Sequence, residues 1–270
     1  MIGVVIALVA LGMALVLKGV SPAVLINAPA ILIVAFGTFG ATISSFGLPM
    51  FLKLPRLMAI GMRGPTGDSL AMRDQLVTFA ERARREGLLA LESDIEEVAD
   101  PFVRRGLQMV IDGLEPETVD EVLQLEVEAM ARRHAQGATM LAAMAGYAPT
   151  FGILGAVMGL IAVMAHLSEP EKLGAGIQVA FIATLLAVGV ANILFMPMSV
   201  SLKGHSAAEA SARRMAMAGI LAIQAGDNPR MVGRKVDAFL DPATLRARAT
   251  AGQEAGSPAT LTGLPEAGAT

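Results

Sequence analysis

The long apolar stretches of this chain contain no acidic or basic residue that could carry an ion, apart from one histidine. Asp, Glu, Lys and Arg are all absent from Gly19–Leu52, Ala135–Ser168 and Leu173–Leu202. Proton pumps and ion-coupled transporters need a titratable group within the membrane. The one candidate, His166, stands at the end of its stretch, where an interfacial residue is the expected interpretation. Either this chain moves no ion, or a partner chain supplies the carboxylate.

Two prolines lie inside the predicted third and fourth membrane spans, Pro149 in the third and Pro197 in the fourth. Proline removes a backbone donor and clashes with the carbonyl four residues earlier, here that of Ala145 or Ile193. In lipid the freed carbonyl needs another partner, which favours a bundle interior, water or a hinge. Proline is also commoner in membrane helices than in soluble ones, so each proline alone is weak evidence.

Small and hydroxyl residues lie close to both prolines. Gly152, Gly155 and Gly159 would form one face of a helix, and small residues at this spacing let two helix backbones approach closely. The pattern fits packing within one chain and packing between chains equally well. Thr150 and Thr184 are the polar groups best able to face a pore, although such residues often bond only their own helix backbone.

Other kinds of chemistry find little support in the composition. The chain has no cysteine, and its three histidines make no ligand-spaced pair, which excludes disulfides and predicts no metal site or other cofactor. No nucleophile–base pair or phosphate-binding loop is evident, so we expect no enzyme. No basic stripe with interleaved aromatics indicates nucleic-acid binding.

Membrane-spanning helices must position these residues. A span needs about 20 mainly apolar residues, and each of the three uncharged stretches is long enough. The opening run, Met1–Leu17, is at the lower limit, and it lacks the basic start and cleavage site of a signal peptide. We therefore predict an all-α, multi-pass membrane protein with four spans, in contact with lipid.

The distribution of basic residues predicts the orientation. Of the 21 Lys and Arg residues, eleven lie between Lys53 and Arg133 and eight from Lys203 onward. Cytoplasmic loops carry the excess of such residues, so the middle region, the tail and both termini are predicted to be cytoplasmic. The short connections at Lys18–Asn27 and Ser168–Lys172 would then face outward from the inner membrane.

The cytoplasmic segments are predicted to be helical. Asp68 or Ser69 can cap a helix that Gly87 ends, Asp100-Pro101 can open another, and Pro116 suits the first turn of a long helix that continues into the third span. Ser206–Gln224 would form a further helix after the fourth span. The predicted regions are a first hairpin (1–52), a helical cytoplasmic domain (53–140), a second hairpin (141–203), C-terminal helices (204–248) and a disordered tail (249–270).

Four blocks of sequence resemble the MotA/PomA stator subunits of the flagellar motor, which are related to the ExbB/TolQ proteins. They are YAPTFGILGAVMGL at Tyr147–Leu160, the segment Leu167–Pro197, INAPAILIVAFGTFGAT at Ile26–Thr42 and GILAIQAGDNPR at Gly219–Arg230. The blocks occur in the family's order, and the resemblance covers residues 1–242.

The resemblance implies an ion-driven torque unit. In the family, five A subunits surround two copies of a single-span, peptidoglycan-anchored B subunit whose Asp binds the ion. The family's two functional prolines correspond to Pro149 and Pro197, and its pore-facing threonine to Thr184. Its rotor-contacting charges correspond to Arg84 and Glu92, with Arg82, Arg85 and Glu96 able to share that work.

The resemblance also bears on ion choice. Sodium-using relatives place a threonine where this chain has Ala156, and often a hydroxyl residue where it has Ala183. Sodium needs several oxygen ligands, whereas a proton needs only the carboxylate, so we expect proton coupling. The alternative is an ExbB/TolQ-like energiser of outer-membrane processes. Those proteins look like three-span chains, whereas this chain has a paired first hairpin.

Overall fold

The computed structural model describes residues 2–62, 68–168, 170–246 and 248, and every regular element among them is helical. The all-α prediction is therefore confirmed. The predicted tail, 249–270, and Glu169 of the predicted outer loop lie outside the described residues. The helices are α1 (Ile2–Leu17), α2 (Ala28–Phe46), α3 (Leu48–Phe51), α4 (Leu54–Met62), α5 (Ser69–Glu86), α6 (Glu92–Ile95), α7 (Pro101–Ile111), α8 (Pro116–Ala165), α9 (Pro170–Gly189), α10 (Met196–Gln224) and α11 (Pro229–Asp237).

Among the residues that the structure describes, three stretches of helix are long and apolar enough to cross a membrane. They are Ala28–Phe46, the apolar part of α8, and the apolar part of Gly176–Gln224, in which α9 joins α10 through a π-helical segment at Val190–Phe195. The first helix, α1, is apolar but has only 16 residues. The four-span count is consistent with this set and stays a prediction.

Capping residues set the helix boundaries where the sequence predicted them. The Asp68 carboxylate accepts hydrogen bonds from the N–H groups of Leu70 and Ala71 at the start of α5. Gly87 ends α5 with a φ of 89°, a conformation that favours glycine. Asp100 likewise caps α7, and Pro116 opens α8, which runs without a break into the predicted third span.

Two helical stretches differ from the predictions. The stretch Gly19–Leu52 does not end as one span, because Gly47 adopts a φ of 78° and the chain continues through the short helices α3 and α4. The predicted separate helix Ser206–Gln224 is instead the second half of α10. No proline lies between Pro197 and Gln224 to remove a backbone donor, so the helical ladder continues past Ser206.

The chain divides into two compact units. One, which we call the span unit, comprises residues 1–67 and 125–210; the other, the charged unit, comprises 68–124 and the chain from 211 onward. A core of the span unit lies where α4, α8 and α10 meet, and includes Met140, Leu141, Met144, Phe195 and Met198. In the charged unit, α5 packs on α11, and the buried side chains include Leu76, Phe79, Leu91, Phe102, Leu107 and Ile220.

Candidate functional site

The glycine face of α8 packs directly on α9 within one chain. A Cβ added to Gly152, Gly155 or Gly159 would meet an alanine Cβ of α9, at 2.4 Å (Ala187), 2.9 Å (Ala183) and 3.0 Å (Ala180), respectively. Real Cβ contacts are almost never as short as those at Gly152 and Gly155, so these two positions require glycine, and the contact at Gly159 would also be tight. These glycines therefore pack within one chain, at the contact between α8 and α9, which carry the predicted third and fourth spans.

Thr184 lies on α9 at this same contact and is half-buried. Its hydroxyl lies 3.2 Å from the carbonyl oxygen of Ala180 on its own helix and 3.4 Å from that of Gly152 on α8. The side chain therefore does more than bond its own backbone, since the same hydroxyl also reaches the neighbouring helix. Thr150, by contrast, donates only to the carbonyl of Tyr147 on its own helix, at 2.6 Å.

The two prolines have different effects on their helices. Just before Pro197, residues Val190–Phe195 form a π-helix, and the N–H of Met196 donates to the carbonyl of Ala191, five residues earlier. A π-turn contains one residue more than an α-turn, and such segments mark kinks and functional sites. Pro149 lies inside α8, whose helical assignment continues unbroken around it.

Contacts around Pro149 join α8 to α2. The hydroxyl groups of Tyr147 and Ser45 are 2.9 Å apart. The ring of Phe151 occupies the space above Gly37, where an added Cβ would lie 2.2 Å from the ring. These contacts on both sides of Pro149 place it where α8 is held against a second predicted span.

The positions proposed to govern ion choice have different surroundings. Ala183 is fully buried at the contact with Gly155, so its side chain packs between α8 and α9. Ala156 is half-buried and lies one residue beyond that glycine. The ring nitrogen Nδ1 of His166 lies 2.9 Å from the carbonyl of Ala162, which ties the ring to the end of α8.

Asn192 is a polar residue that the sequence analysis missed. It lies within the π-helical segment and its side chain is exposed, although its helix is long and apolar enough to cross a membrane. The side-chain amide donates to the carbonyl of Val188 at 2.9 Å. Polar residues within spans usually face a bundle interior or a water-filled cavity. One Asn inside an otherwise apolar run was the signal that could have identified it.

The predicted rotor-contact residues lie on either side of a turn in the charged unit. Arg84 is in the last turn of α5, and Glu92 is the first residue of α6. Between them are Gly87 and a short 3₁₀-helix, Leu88–Leu91. Both side chains are exposed and make no hydrogen bond or ion pair with another described residue.

Arg82, which was predicted to share that role, is engaged inside the chain. Its guanidinium forms an ion pair with Asp94 across the turn, a second with Glu86 at 3.3 Å, and lies 3.5 Å from the Ser93 hydroxyl. The hydrogen bond to Asp94, opposed by a smaller desolvation, raises the pKa of Arg82 above its ordinary value. Arg82 thus fixes the turn that carries Arg84 and Glu92.

A second ion-pair group holds α5 against α11. Arg73 forms two hydrogen bonds with the Asp237 carboxylate, at 2.9 and 3.3 Å, and a third with Asp74 at 3.0 Å. Arg248 also contacts Asp74, at 2.7 Å. Burial raises the pKa of Asp74, but hydrogen bonds from Arg248 and Arg73 outweigh it and hold the pKa below its ordinary value. We call the Arg73–Asp237 pair the clasp.

A family model described as the MotA/TolQ/ExbB proton channel family matches residues 94–215. The chain is 39% identical to motility protein A of Bacillus subtilis over 243 residues, which cover 89% of each protein. It is 28% identical to the chemotaxis protein PomA of Vibrio alginolyticus, with 85% of this chain and 89% of that protein covered.

Two solved structures of MotAB are also similar to this chain. The flagellar MotAB stator complex from Bacillus subtilis superposes with a TM-score of 0.85 and 38% identity, covering 92% of this chain and 97% of that one. The MotAB structure from C. jejuni also gives a TM-score of 0.85, with 28% identity and coverage of 89% and 94%. The similarity extends over both the span unit and the charged unit, since so little of either chain is left uncovered.

Proposed function

Because the chain belongs to the motility protein A family, within the MotA/TolQ/ExbB proton channel proteins, we propose a mechanism for its residues on that premise. The chain is a stator subunit of the flagellar motor and takes part in its proton channel. The mechanism concerns the source of the ion-binding group, the ion itself, the membrane orientation and the contact with the rotor.

The ion-binding carboxylate comes from a MotB-like, single-span B subunit. The observation that carries this proposal is the absence of Asp and Glu from all three long apolar stretches of the chain. The chain provides instead a half-buried hydroxyl on Thr184 and an exposed amide on Asn192. These groups could line a path for an ion without binding it tightly, and the solved relatives are complexes with a B partner.

The transported ion is a proton. Ala156, on the helix that carries Pro149, offers no oxygen to replace part of the hydration shell of sodium. Ala183 lacks a hydroxyl as well, and it is packed against α8. A proton requires only a carboxylate, which the B subunit would supply.

The membrane helices lie in the inner membrane, with both termini and the charged unit in the cytoplasm. The excess of Lys and Arg between Lys53 and Arg133 and after Lys203 supports this orientation. Several copies of the chain, a pentamer by analogy with the family, surround the B helices. Close α8–α9 packing leaves each second hairpin as one rigid member of that ring.

The charged unit meets the rotor through Arg84 and Glu92. Both are exposed, and their side chains have no partner among the described residues, so they remain available for charges on another protein. Exposed charges of opposite sign steer encounter and fix register between two surfaces. Rotation of the ring during ion passage would then move the rotor by this contact.

Deletion of the chain tests the stator role. Cells that lack it should assemble complete filaments that do not turn, and expression of the chain should restore rotation. An ExbB/TolQ-like role, which the relatives do not favour, would instead impair energy-dependent uptake across the outer membrane and leave rotation intact. Normal rotation in the absence of any substitute stator would contradict the proposal.

A further inference from the structure

Leu89 is an exposed apolar side chain in the turn between Arg84 and Glu92. It is 72% exposed, the largest value among the large apolar side chains described in the charged unit. The next in that unit is Met231, at 45%. Single exposed leucines are common on protein surfaces. Whether Leu89 is a binding residue therefore depends on its position and on how rigidly the backbone holds it.

The local backbone directs Leu89 outward. Residues Leu88–Leu91 form a 3₁₀-helix, in which side chains three residues apart lie on the same side. Leu88 and Leu91 are such a pair; Leu91 is fully buried and Leu88 is half-buried. Leu89 must therefore point away from the core.

The turn cannot readily fold Leu89 back against the unit. On one side Gly87 fixes the chain direction with a φ of 89°. On the other, Arg82 bonds Asp94 across the turn, and the buried side chain of Ile95 holds α6 to the core. An apolar group held rigidly in water is preorganised for a partner surface, which lowers the ordering cost of binding.

The charges beside Leu89 indicate the kind of partner. Arg84 and Glu92, a cation and an anion without a partner among the described residues, stand five residues before and three residues after it. Protein interfaces typically combine a central apolar anchor with a polar rim. A membrane surface would favour basic residues without the anion, so the mixed charge favours a protein.

We propose that Leu89 is the apolar anchor of the rotor contact, with Arg84 and Glu92 as its charged rim. The partner is a rotor protein whose surface has an apolar recess flanked by charges of both signs. This inference rests on the proposed rotor contact. It adds an apolar residue to a contact that was proposed on charged residues alone.

Binding of the purified A–B stator complex to the purified rotor protein tests the anchor. Leu89→Ala should weaken binding about tenfold, the effect of losing an apolar hot spot, and should slow swimming. Leu89→Met keeps an apolar side chain and should bind nearly as the wild type does. Met231→Ala, which truncates an exposed apolar side chain elsewhere in the same unit, is the matched control and should bind normally.

Two outcomes would overturn the inference. Equal binding by the Leu89→Ala and Met231→Ala proteins would show that Leu89 is not an anchor. Dissociation of the Leu89→Ala ring into smaller species would place the residue between copies of this chain instead. If Arg84→Ala and Glu92→Ala also leave binding and swimming unchanged, the rotor contact itself is wrong, whereas a defect in those two alone rejects only the anchor.

Discussion

At the residue scale, the proposed proton coupling can be tested at Ala156, where a threonine would add one oxygen atom. Ala156 is half-buried on α8, one residue from the tight contact between Gly155 and Ala183. A hydroxyl at Ala183 itself would be confined between two helices. Of the two alanines, Ala156 is therefore the better position at which to test whether an added hydroxyl changes the choice between sodium and protons.

Swimming speed should be independent of sodium in the wild-type protein, because the chain supplies no hydroxyl at Ala156. The measurement replaces sodium with potassium at fixed pH and membrane potential. Ala156→Thr should slow proton-driven swimming, since a hydroxyl would alter the surroundings of the bound proton. Ala143→Thr, on another half-buried alanine of α8, is the control. Loss of wild-type swimming on removal of sodium would reject proton coupling.

Residue types predicted some of this site and missed other parts. The glycine spacing predicted close packing, but the choice between intrachain and interchain contact required the positions of Ala180, Ala183 and Ala187. Asn192 was missed because its importance comes from its exposure within the π-helix. Arg82 and Arg84 are indistinguishable by residue type and position in the helix. Only the structure shows that Arg82 forms an ion pair with Asp94.

At the element scale, the π-helix before Pro197 is a local departure from the α-helical ladder. Pro197→Ala would restore the missing N–H and allow an α-helical bond to the carbonyl of Ile193. If the π-segment takes part in the motion of the ring, this variant should still assemble with the B subunit but rotate slowly or not at all. Torque on a tethered cell, alongside the assembled ring size, is the measurement. Normal torque would show that the π-segment is dispensable.

The contact between α8 and α9 should tolerate no side chain at Gly152. An added Cβ would lie 2.4 Å from that of Ala187, and such overpacking costs about 1–3 kcal/mol. Gly152→Ala should therefore lower the thermal unfolding midpoint of the purified complex. Gly146→Ala is the matched control on the same helix, because nothing lies within 4 Å of its added Cβ. Equal midpoints for the two variants would contradict the packing account.

The clasp between Arg73 and Asp237 should position α5, and through it the turn that carries Arg84. Arg73→Ala would leave the half-buried Asp237 carboxylate without its partner, at a cost of about 1 kcal/mol. We expect reduced torque with unchanged proton flux through the A–B complex. The charge-swapped variant, Arg73→Asp with Asp237→Arg, should recover part of the torque. No recovery would show that the ion pair does not position α5.

Acid should weaken the Asp74 part of this ion-pair group. The pKa of Asp74 is lowered in the folded chain, so its stabilising contribution is complete above the ordinary carboxyl pKa of about 4. That contribution is lost as the pH falls through the lowered value. The difference in free energy of unfolding between the wild type and Asp74→Asn should therefore be the same at pH 6 and at pH 8. A difference that changes between those two values would contradict the assignment.

Helix ends were more predictable than helix interiors. Asp68, Gly87, Asp100 and Pro116 act through local backbone chemistry, so their types and order were enough to predict the boundaries. Contacts made by the middle of a helix depend instead on packing against other helices, for example the hydrogen bond from the Ser199 hydroxyl on α10 to the carbonyl of Ala138 on α8, at 2.7 Å. Sequence spacing carries no direct signal for such contacts.

At the scale of the whole molecule, the chain combines long apolar stretches that contain no Asp or Glu with a charged unit that exposes Arg84 and Glu92 beside one turn. In the proposed function, a B subunit supplies the carboxylate to the apolar stretches, and the rotor supplies the charges that face Arg84 and Glu92. The absence of acid was evident from the sequence. Its meaning depended on the similarity to MotAB complexes over both units.

Proton flux into proteoliposomes tests the central claim most directly. Vesicles would contain this chain alone, the chain with its B subunit, or the chain with a B subunit whose membrane Asp is changed to Asn. The account predicts a flux only in the second case, because only that complex has a carboxylate within the membrane. A proton flux through this chain alone, or an undiminished flux with the Asn variant, would contradict it.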